Sequence, residues 1–281
     1  MKRFALLFSF VLALSLCSAC GKKNETITIV YTNKAESIAL SYLAAAVMED
    51  EYKYNIELVQ VTDSQAFELL ADGEADIFLS ARLPDTHGDY IKDYGEQIKL
   101  LGVIYESAQN GLVVPSYADI ESIAQLNGAK TDFEGKIIGI NAEANIMSVT
   151  TQVLEEYDLD YELIPNSKEE MFNLLGQAVS NQKNIVITGW APHWQFAEWD
   201  LKFLEDPLGV YGDTERIEAY ASKDLQKDLP QVAYFLGEYS LNTAQYASLM
   251  NIIRKAESGA DLKEVSRSWI FANNGIVDSW L

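Results

Sequence analysis

From Thr26 onward, short runs rich in β-branched and apolar residues alternate with longer segments whose apolar residues recur at helical spacing, and the rhythm runs through twice. The pattern predicts strand Thr26 to Thr32, helix Ala35 to Tyr52, strand Asn55 to Val61, helix Asp63 to Ala71 and strand Ala75 to Ser80. Gly111 to Pro115 reads as a further strand and Tyr117 to Leu126 as a short helix. The second round predicts strand Ile137 to Asn141, helix Asn145 to Tyr157, strand Tyr161 to Ile164, helix Lys168 to Asn181 and strand Asn184 to Gly189. Pro230 to Trp280 is helical, with periodic apolar positions at Val232, Phe235, Leu236, Tyr239, Leu249, Ile252 and Ile253. Such alternation implies an α/β fold of two lobes, each a mainly parallel sheet flanked by helices. Open sheets of this kind bind ligands beyond the carboxyl ends of their strands, so two lobes facing each other make a ligand cleft.

The N-terminus constrains the compartment. Lys2 and Arg3 precede a run from Phe4 to Leu16 that is apolar except for Ser9 and Ser15, followed by Cys17-Ser18-Ala19-Cys20-Gly21. A bilayer-spanning helix needs about 20 apolar residues, so this shorter run reads as the core of a secretory signal. The small residues before Cys20 resemble the bacterial lipobox. That implies a signal peptide over residues 1–19, a lipid on Cys20, a tether over 20–25, and anchoring on the extracytoplasmic side of a bacterial membrane. A plain secretory signal cut nearby is the other reading. Once Cys17 is removed and Cys20 acylated, no free thiol or disulfide remains.

Asp and Glu number 42 against 21 Lys and Arg, a net charge of −21, or −23 without Lys2 and Arg3. That balance argues against a nucleic-acid partner, which needs positive charge at the contact. With 2 cysteines and 2 histidines the chain lacks the ligands of zinc or iron–sulfur sites, and no cofactor is expected. A cation at a strand end is therefore informative.

Unusual clusters stand at the predicted strand ends. The first strand runs into Tyr31-Thr32-Asn33-Lys34, ahead of Glu36 and Ser37. The third runs into Ser80-Ala81-Arg82-Leu83-Pro84-Asp85-Thr86-His87-Gly88-Asp89-Tyr90. In the second lobe the ends are Gly139-Ile140-Asn141-Ala142-Glu143-Ala144-Asn145-Ile146-Met147 and Ile187-Thr188-Gly189-Trp190-Ala191-Pro192-His193-Trp194. Both histidines of the chain lie in these clusters. Loop composition by itself gathers Pro, Gly and polar residues, so each cluster alone also has a purely structural reading.

The segment from Gly189 to Ala197, continuing from Asp200 to Gly212, resembles the signature of the glycine betaine and choline substrate-binding proteins of ABC importers. Leu83 to Tyr90 and Gly111 to Tyr117 resemble two further landmarks of that family, and the similarity runs from about Thr26 to the C-terminus. The resemblance implies a two-lobed periplasmic-type binding protein and not an enzyme. Lobe 1 would comprise 26–114 and 213–281, with 115–212 as lobe 2, closing by hinge motion on a small-molecule solute. It further implies delivery to an ABC permease with its ATPase. In the family, three tryptophans cage a quaternary ammonium while a histidine and helix N-terminal amides hold the carboxylate, because a ring face attracts a cation that cannot donate hydrogen bonds and free amides attract an anion.

Carried over, the resemblance assigns ligand contacts to Lys34, Arg82, His87, Asn145, Ile146 and Trp190. Lys34 and Arg82 stand where the family has tryptophan, and the chain has no tryptophan before Trp190. Each lost ring removes roughly 0.5–2 kcal/mol of cation–π attraction. A cation about 5 Å from a ligand cation adds repulsion on the order of 3 kcal/mol at an effective dielectric of about 20. Micromolar binding is worth only about 8 kcal/mol, so a simple betaine is not the expected ligand. A carboxylate-bearing solute with a second acidic or strongly hydrogen-bonding end is. Other readings stay open: Lys34 and Arg82 swing out to pair with Glu36, Asp85 or Glu143, leaving a genuine betaine binder, or Tyr31, Tyr105 or Tyr117 rebuilds a cage. His193 reads as a structural histidine, and Trp194, Trp199, Trp269 and Trp280 as packing. A hydrolase using His87, with Asp85 or Asp89 and Ser80, is the alternative of another class.

Overall fold

A computed structural model describes residues 26–281; the expected signal peptide, Cys20 and the tether lie outside the described residues. The strands are β1 (Thr26–Tyr31), β2 (Asn55–Gln60), β3 (Ile77–Leu83), β4 (Ile98–Pro115), β5 (Lys136–Ile138), β6 (Glu162–Ile164), β7 (Ile187–Ala191), β8 (Leu201–Phe203) and β9 (Glu215–Ser222). The helices are α1 (Ala35–Tyr52), α2 (Asp63–Asp72), α3 (Gly88–Tyr94), α4 (Asn145–Glu156), α5 (Lys168–Ser180), α6 (Gln195–Glu198), α7 (Leu225–Asp228), α8 (Pro230–Glu238), α9 (Thr243–Lys255), α10 (Leu262–Ala272) and α11 (Asn274–Val277). Tyr117 to Leu126 is not the expected helix. A turn follows Pro115, and a 3₁₀ segment, Ile123–Ala129, begins under a Ser122–Gln125 capping box.

The strands run in the order β2-β1-β3-β9-β4-β7-β5-β6, with β8 also on β4. The β1, β2 and β3 pairings are parallel, as are β5 with β6 and β7. The antiparallel pairs all involve β4 or β9. The sheets are therefore mixed, parallel towards their outer edges and antiparallel where these two strands enter.

β4 decides where a ligand can sit. Its first part pairs with β9, Ala108 facing Glu215, and from Gln109, opposite Ala191, it pairs with β7. Because β9 is antiparallel to β3, Glu215 at its start lies next to the end of β3, with Leu83 opposite Arg216. The carboxyl ends of β3 and β7 thus converge from opposite directions on neighbouring residues in the middle of β4.

Each half has its own core. One gathers β1, β3 and β4 with α1 and the C-terminal helices around Leu40, Leu43, Phe235, Tyr239, Tyr246, Trp269 and Trp280. Another, around Leu112, Ile123, Ile137 and Val153, holds the second half. α1 is buried on most of its faces, which its run of Ala, Leu and Ser permits because small side chains let sheet and helices approach closely. α8 crosses β4 so tightly at Gly102 that a Cβ there would lie 2.8 Å from Gly237 O and 2.9 Å from Leu236 O. A Cβ on Gly237 would meet only Leu101 O at 3.6 Å, an ordinary contact. Gly102→Ala is expected to destabilise by about 1–3 kcal/mol. Gly237→Ala should be neutral or stabilising by up to about 1 kcal/mol, since it replaces a helical glycine. Chemical-denaturation midpoints of the two variants check this contrast.

Candidate functional site

A cavity of about 210 Å³ opens at the converging strand ends, lined by Lys34, Glu36, Ser80, Arg82, Thr86, His87, Trp190, Ala191, Pro192 and Ile217. It is smaller than the roughly 300–1,000 Å³ of drug-sized pockets and suits a small solute. Larger surface depressions, about 780 Å³ beside Lys99 and Tyr220 and about 790 Å³ beside Phe172 and Trp199, do not bring together the ends of β1, β3 and β7. Among the described residues, no cluster of His, Cys, Asp and Glu is arranged to hold a metal ion.

Lys34, Arg82, His87 and Trp190 come together in this wall from segments distant in sequence. Asn145 and Ile146 do not. They begin α4, where neither backbone N–H has a partner among the described residues, but they stay outside the cavity lining. Nor does a tyrosine rebuild the cage. Tyr31 packs edge-on against Tyr42, Tyr105 against Tyr246, and Tyr117 donates to Lys183 O at 2.7 Å.

The two cations that replace tryptophans are paired, though not with the expected carboxylates. Lys34 Nζ donates to both oxygens of Asp63, at 2.9 and 3.2 Å. Arg82 Nε donates to Glu215 Oε2. Thr86 braces Glu215 through its backbone N–H, 2.7 Å from Oε1, and its hydroxyl, 2.9 Å from Oε2. Burial pushes the Glu215 carboxyl up, but Thr86 and Arg82 together hold it below the usual carboxylate value. A charge so paired acts on a ligand as a dipole, so the repulsion reckoned for isolated cations is largely cancelled. The charge argument for a second acidic group on the ligand goes with it.

Neither carboxylate stands out in the sequence. Asp63 is the first residue of α2, whose start is set by a reciprocal capping box between Thr62 and Gln65. It also lies at the end of a parallel strand, β2, so the strand-end rule could have found it. Glu215 opens an antiparallel strand that the alternation did not reveal. It lies 133 residues from its partner in sequence, and nothing local marks it.

His87 is buried, 3% exposed, its ring set edge-on to Phe67 at 5.5 Å and close to Phe78 and Tyr90. Its Nδ1 accepts the Arg82 backbone N–H at 2.8 Å, which leaves Nε2 to carry the proton of the neutral ring. Nε2 lies 3.4 Å from Asp63 Oδ1, too poorly aligned for a hydrogen bond, and has no hydrogen-bond partner among the described residues. This long polar contact with His87, and then the Lys34 ammonium, hold the Asp63 carboxyl down at about 2 against the opposing effect of burial. A nucleophile–base pair is not assembled. Ser80 Oγ donates to Ser37 Oγ at 2.7 Å, the His87 Nδ1 is occupied, and Asp89 pairs with Lys92.

Trp190 is half-buried at the end of β7. Lys168 Nζ lies 5.5 Å from its ring centroid, and His193 packs edge-on at 4.7 Å. His193 stacks on Phe172 and accepts the Gln195 N–H at 3.4 Å, a supporting position outside the cavity wall. Trp269 and Trp280 are core residues, Trp194 lies under Arg254 at 3.9 Å, and Trp199 packs beside Gly176.

Facing strand ends around a small, charged cavity define a two-lobed α/β solute-binding protein. Residues 25–272 match the family described as the substrate binding domain of ABC-type glycine betaine transport systems, and the chain belongs to that family. It is 36% identical over 147 residues to the glycine betaine/carnitine transport binding protein GbuC of Listeria monocytogenes, 51% of this chain and 48% of that one. The matched stretch thus spans about half the length of that relative. Lactococcal OpuAC, in its closed form with glycine betaine, is 32% identical, covers 91% of this chain and 99% of its own, and superimposes with a TM-score of 0.64. The glycine betaine, L-proline transporter's binding protein ProX of Borrelia burgdorferi is 30% identical, covers 92% and 97%, with a TM-score of 0.62.

Burial, then the charges of Lys168 and Arg254, lower the His193 pKa from 6.5 to about 3. Because the folded value is depressed, the stability of the neutral ring is full above pH 6.5 and is lost as pH falls towards 3. The melting-temperature advantage of the wild type over His193→Phe should therefore shrink steadily across that window, as thermal scans at several pH values would show.

Proposed function

We propose that this protein is the extracytoplasmic solute receptor of an ABC importer of the glycine betaine type. It captures a small carboxylate-bearing solute that is not a simple betaine. Lobe 1 (26–114 and 213–281) and lobe 2 (115–212) close on the solute and present it to the permease and its ATPase. The observation that carries this reading is the cavity at the converging strand ends, where Lys34, Arg82, His87 and Trp190 meet and a single tryptophan remains to face a cation. The terminal nitrogens of Arg82, which make no hydrogen bond among the described residues, are donors suited to the carboxylate. Asn145 and Ile146 would add backbone amides as the lobes close.

One observation favours a second reading, a genuine glycine betaine or choline binder: the pairing of Lys34 with Asp63 and of Arg82 with Glu215 mutes both charges. A thermal-shift screen over betaines, amino acids, dicarboxylates, sulfonates and phosphonates separates the two. Ligand at about 100 times its Kd stabilises a protein by about 2.7 kcal/mol, a readily measured shift. A carboxylate-bearing solute other than a betaine is expected to give the largest shift, and micromolar glycine betaine affinity would overturn that reading. Lys34→Trp with Arg82→Trp should create betaine binding. Because removing one partner of a buried pair costs about 3–5 kcal/mol, Glu215→Gln belongs in the same variant.

We further propose that Cys20 carries the lipid that keeps the receptor beside its permease. No helix among the described residues is long and apolar enough to cross a membrane. Cells fed an alkyne fatty acid should label the wild type and not Cys20→Ala; equal labelling of both would refute the assignment.

A further inference from the structure

Both cations lining the cavity have partners, and the carboxylate lining it, Glu36, has none among the described residues. Glu36, in the first turn of α1, lines the cavity half-buried, and its carboxylate makes no hydrogen bond or ion pair among the described residues. Lys34 and Arg82 are matched by Asp63 and Glu215, so the cavity and its immediate partners retain the negative charge of Glu36. Facing the same space are the terminal nitrogens of Arg82, which make no hydrogen bond among the described residues, whereas the buried Nε2 of His87 already lies 3.4 Å from the Asp63 carboxylate. An empty acceptor and empty donors on one small wall call for a solute that supplies both a donor and an anion.

We propose that the solute is a zwitterion whose cationic nitrogen carries at least one hydrogen and donates it to Glu36, while its acid group accepts from the terminal nitrogens of Arg82. This rests on the carboxylate-receptor reading above and goes beyond it by naming the other end of the ligand. A quaternary nitrogen cannot donate a hydrogen bond and depends on aromatic faces, of which the cavity wall offers one, Trp190. It would leave Glu36 desolvated and unbonded when the lobes close, whereas an N–H cation forms a charge-assisted hydrogen bond there. A dicarboxylate would set a second anion against Glu36. Glu36 is thus the specificity residue for the cationic end, and it separates primary and secondary amines from their permethylated forms.

The test is titration calorimetry on the full chain purified in detergent, with matched probes: proline against proline betaine, β-alanine against β-alanine betaine, and succinate. In at least one pair the N–H-bearing member is expected to bind at least about tenfold tighter than its permethylated counterpart and than succinate. Glu36→Gln should weaken that member by at least about tenfold and the permethylated form by less than about threefold, and Glu36→Asp should retain part of the affinity. Circular dichroism and melting temperature verify that both variants fold. Equal or tighter binding of succinate overturns this inference and leaves the carboxylate-receptor reading intact, whereas equal or tighter binding of the permethylated members overturns this inference and the exclusion of betaines together. Unchanged affinity of the N–H-bearing member in Glu36→Gln also overturns it. No binding of any of the five probes overturns both readings.

Discussion

The arrangement depends on a single strand that belongs to two sheets. β4 runs for 18 residues, its first part hydrogen-bonded to β9 and its last part to β7 and β8. Its buried backbone N–H and C=O groups need partners, and the neighbouring strands on either side of the crossing provide them. The carboxyl ends of β3 and β7 are thereby aimed at each other, over Ala108 and Gln109. A ligand space at facing strand ends follows from that crossing and needs no separate device to create it. The tight seat of α8 on Gly102 is one local condition of keeping the strand in place.

Within that space the dominant constraint is electrostatic. A guanidinium 22% exposed and a carboxylate 8% exposed are tolerable together and costly apart, because partial burial strengthens their attraction while penalising either charge alone. Arg82 and Glu215 form such a pair, with Thr86 donating to both carboxylate oxygens. Lys34 and Asp63 are more exposed and contribute less to stability, yet Asp63 also faces His87 and so ties together the loops after β1, β2 and β3. These pairings hold two positive charges in fixed, directional positions on the cavity wall.

Aromatic packing holds the two rings that line the cavity, His87 and Trp190. His87 is enclosed by Phe67, Phe78 and Tyr90, and its tautomer is set by the Arg82 backbone N–H. Trp190 is held from the other half by His193 and Phe172, with His193 kept neutral by burial among rings. Each half thus presents a packed ring to the cavity.

The sequence by itself determined the long helices and the parallel strands, because both rest on local periodicity, while the short α3 and α6 and the turn at Tyr117 escaped it. α1 spans the predicted Ala35–Tyr52, and α4 and α5 begin at the predicted Asn145 and Lys168. It also determined that Lys34, Arg82, His87 and Trp190 stand at or just beyond strand ends, since the end of a periodic run is itself a local signal. The first half of β4, β8 and β9 escaped because antiparallel pairing joins segments far apart and leaves no mark in either alone. The same distance hid Glu215 from Arg82, and it is why the number of cations was legible while their neutralisation was not. Only the tertiary structure decided that Asp63 and Glu215 quench those charges, that Asn145 and Ile146 stand back from the cavity, and that Glu36 faces it without a partner. Charge is a property of a residue, but the field at a ligand is a property of all the charges that folding brings within a few ångströms of it.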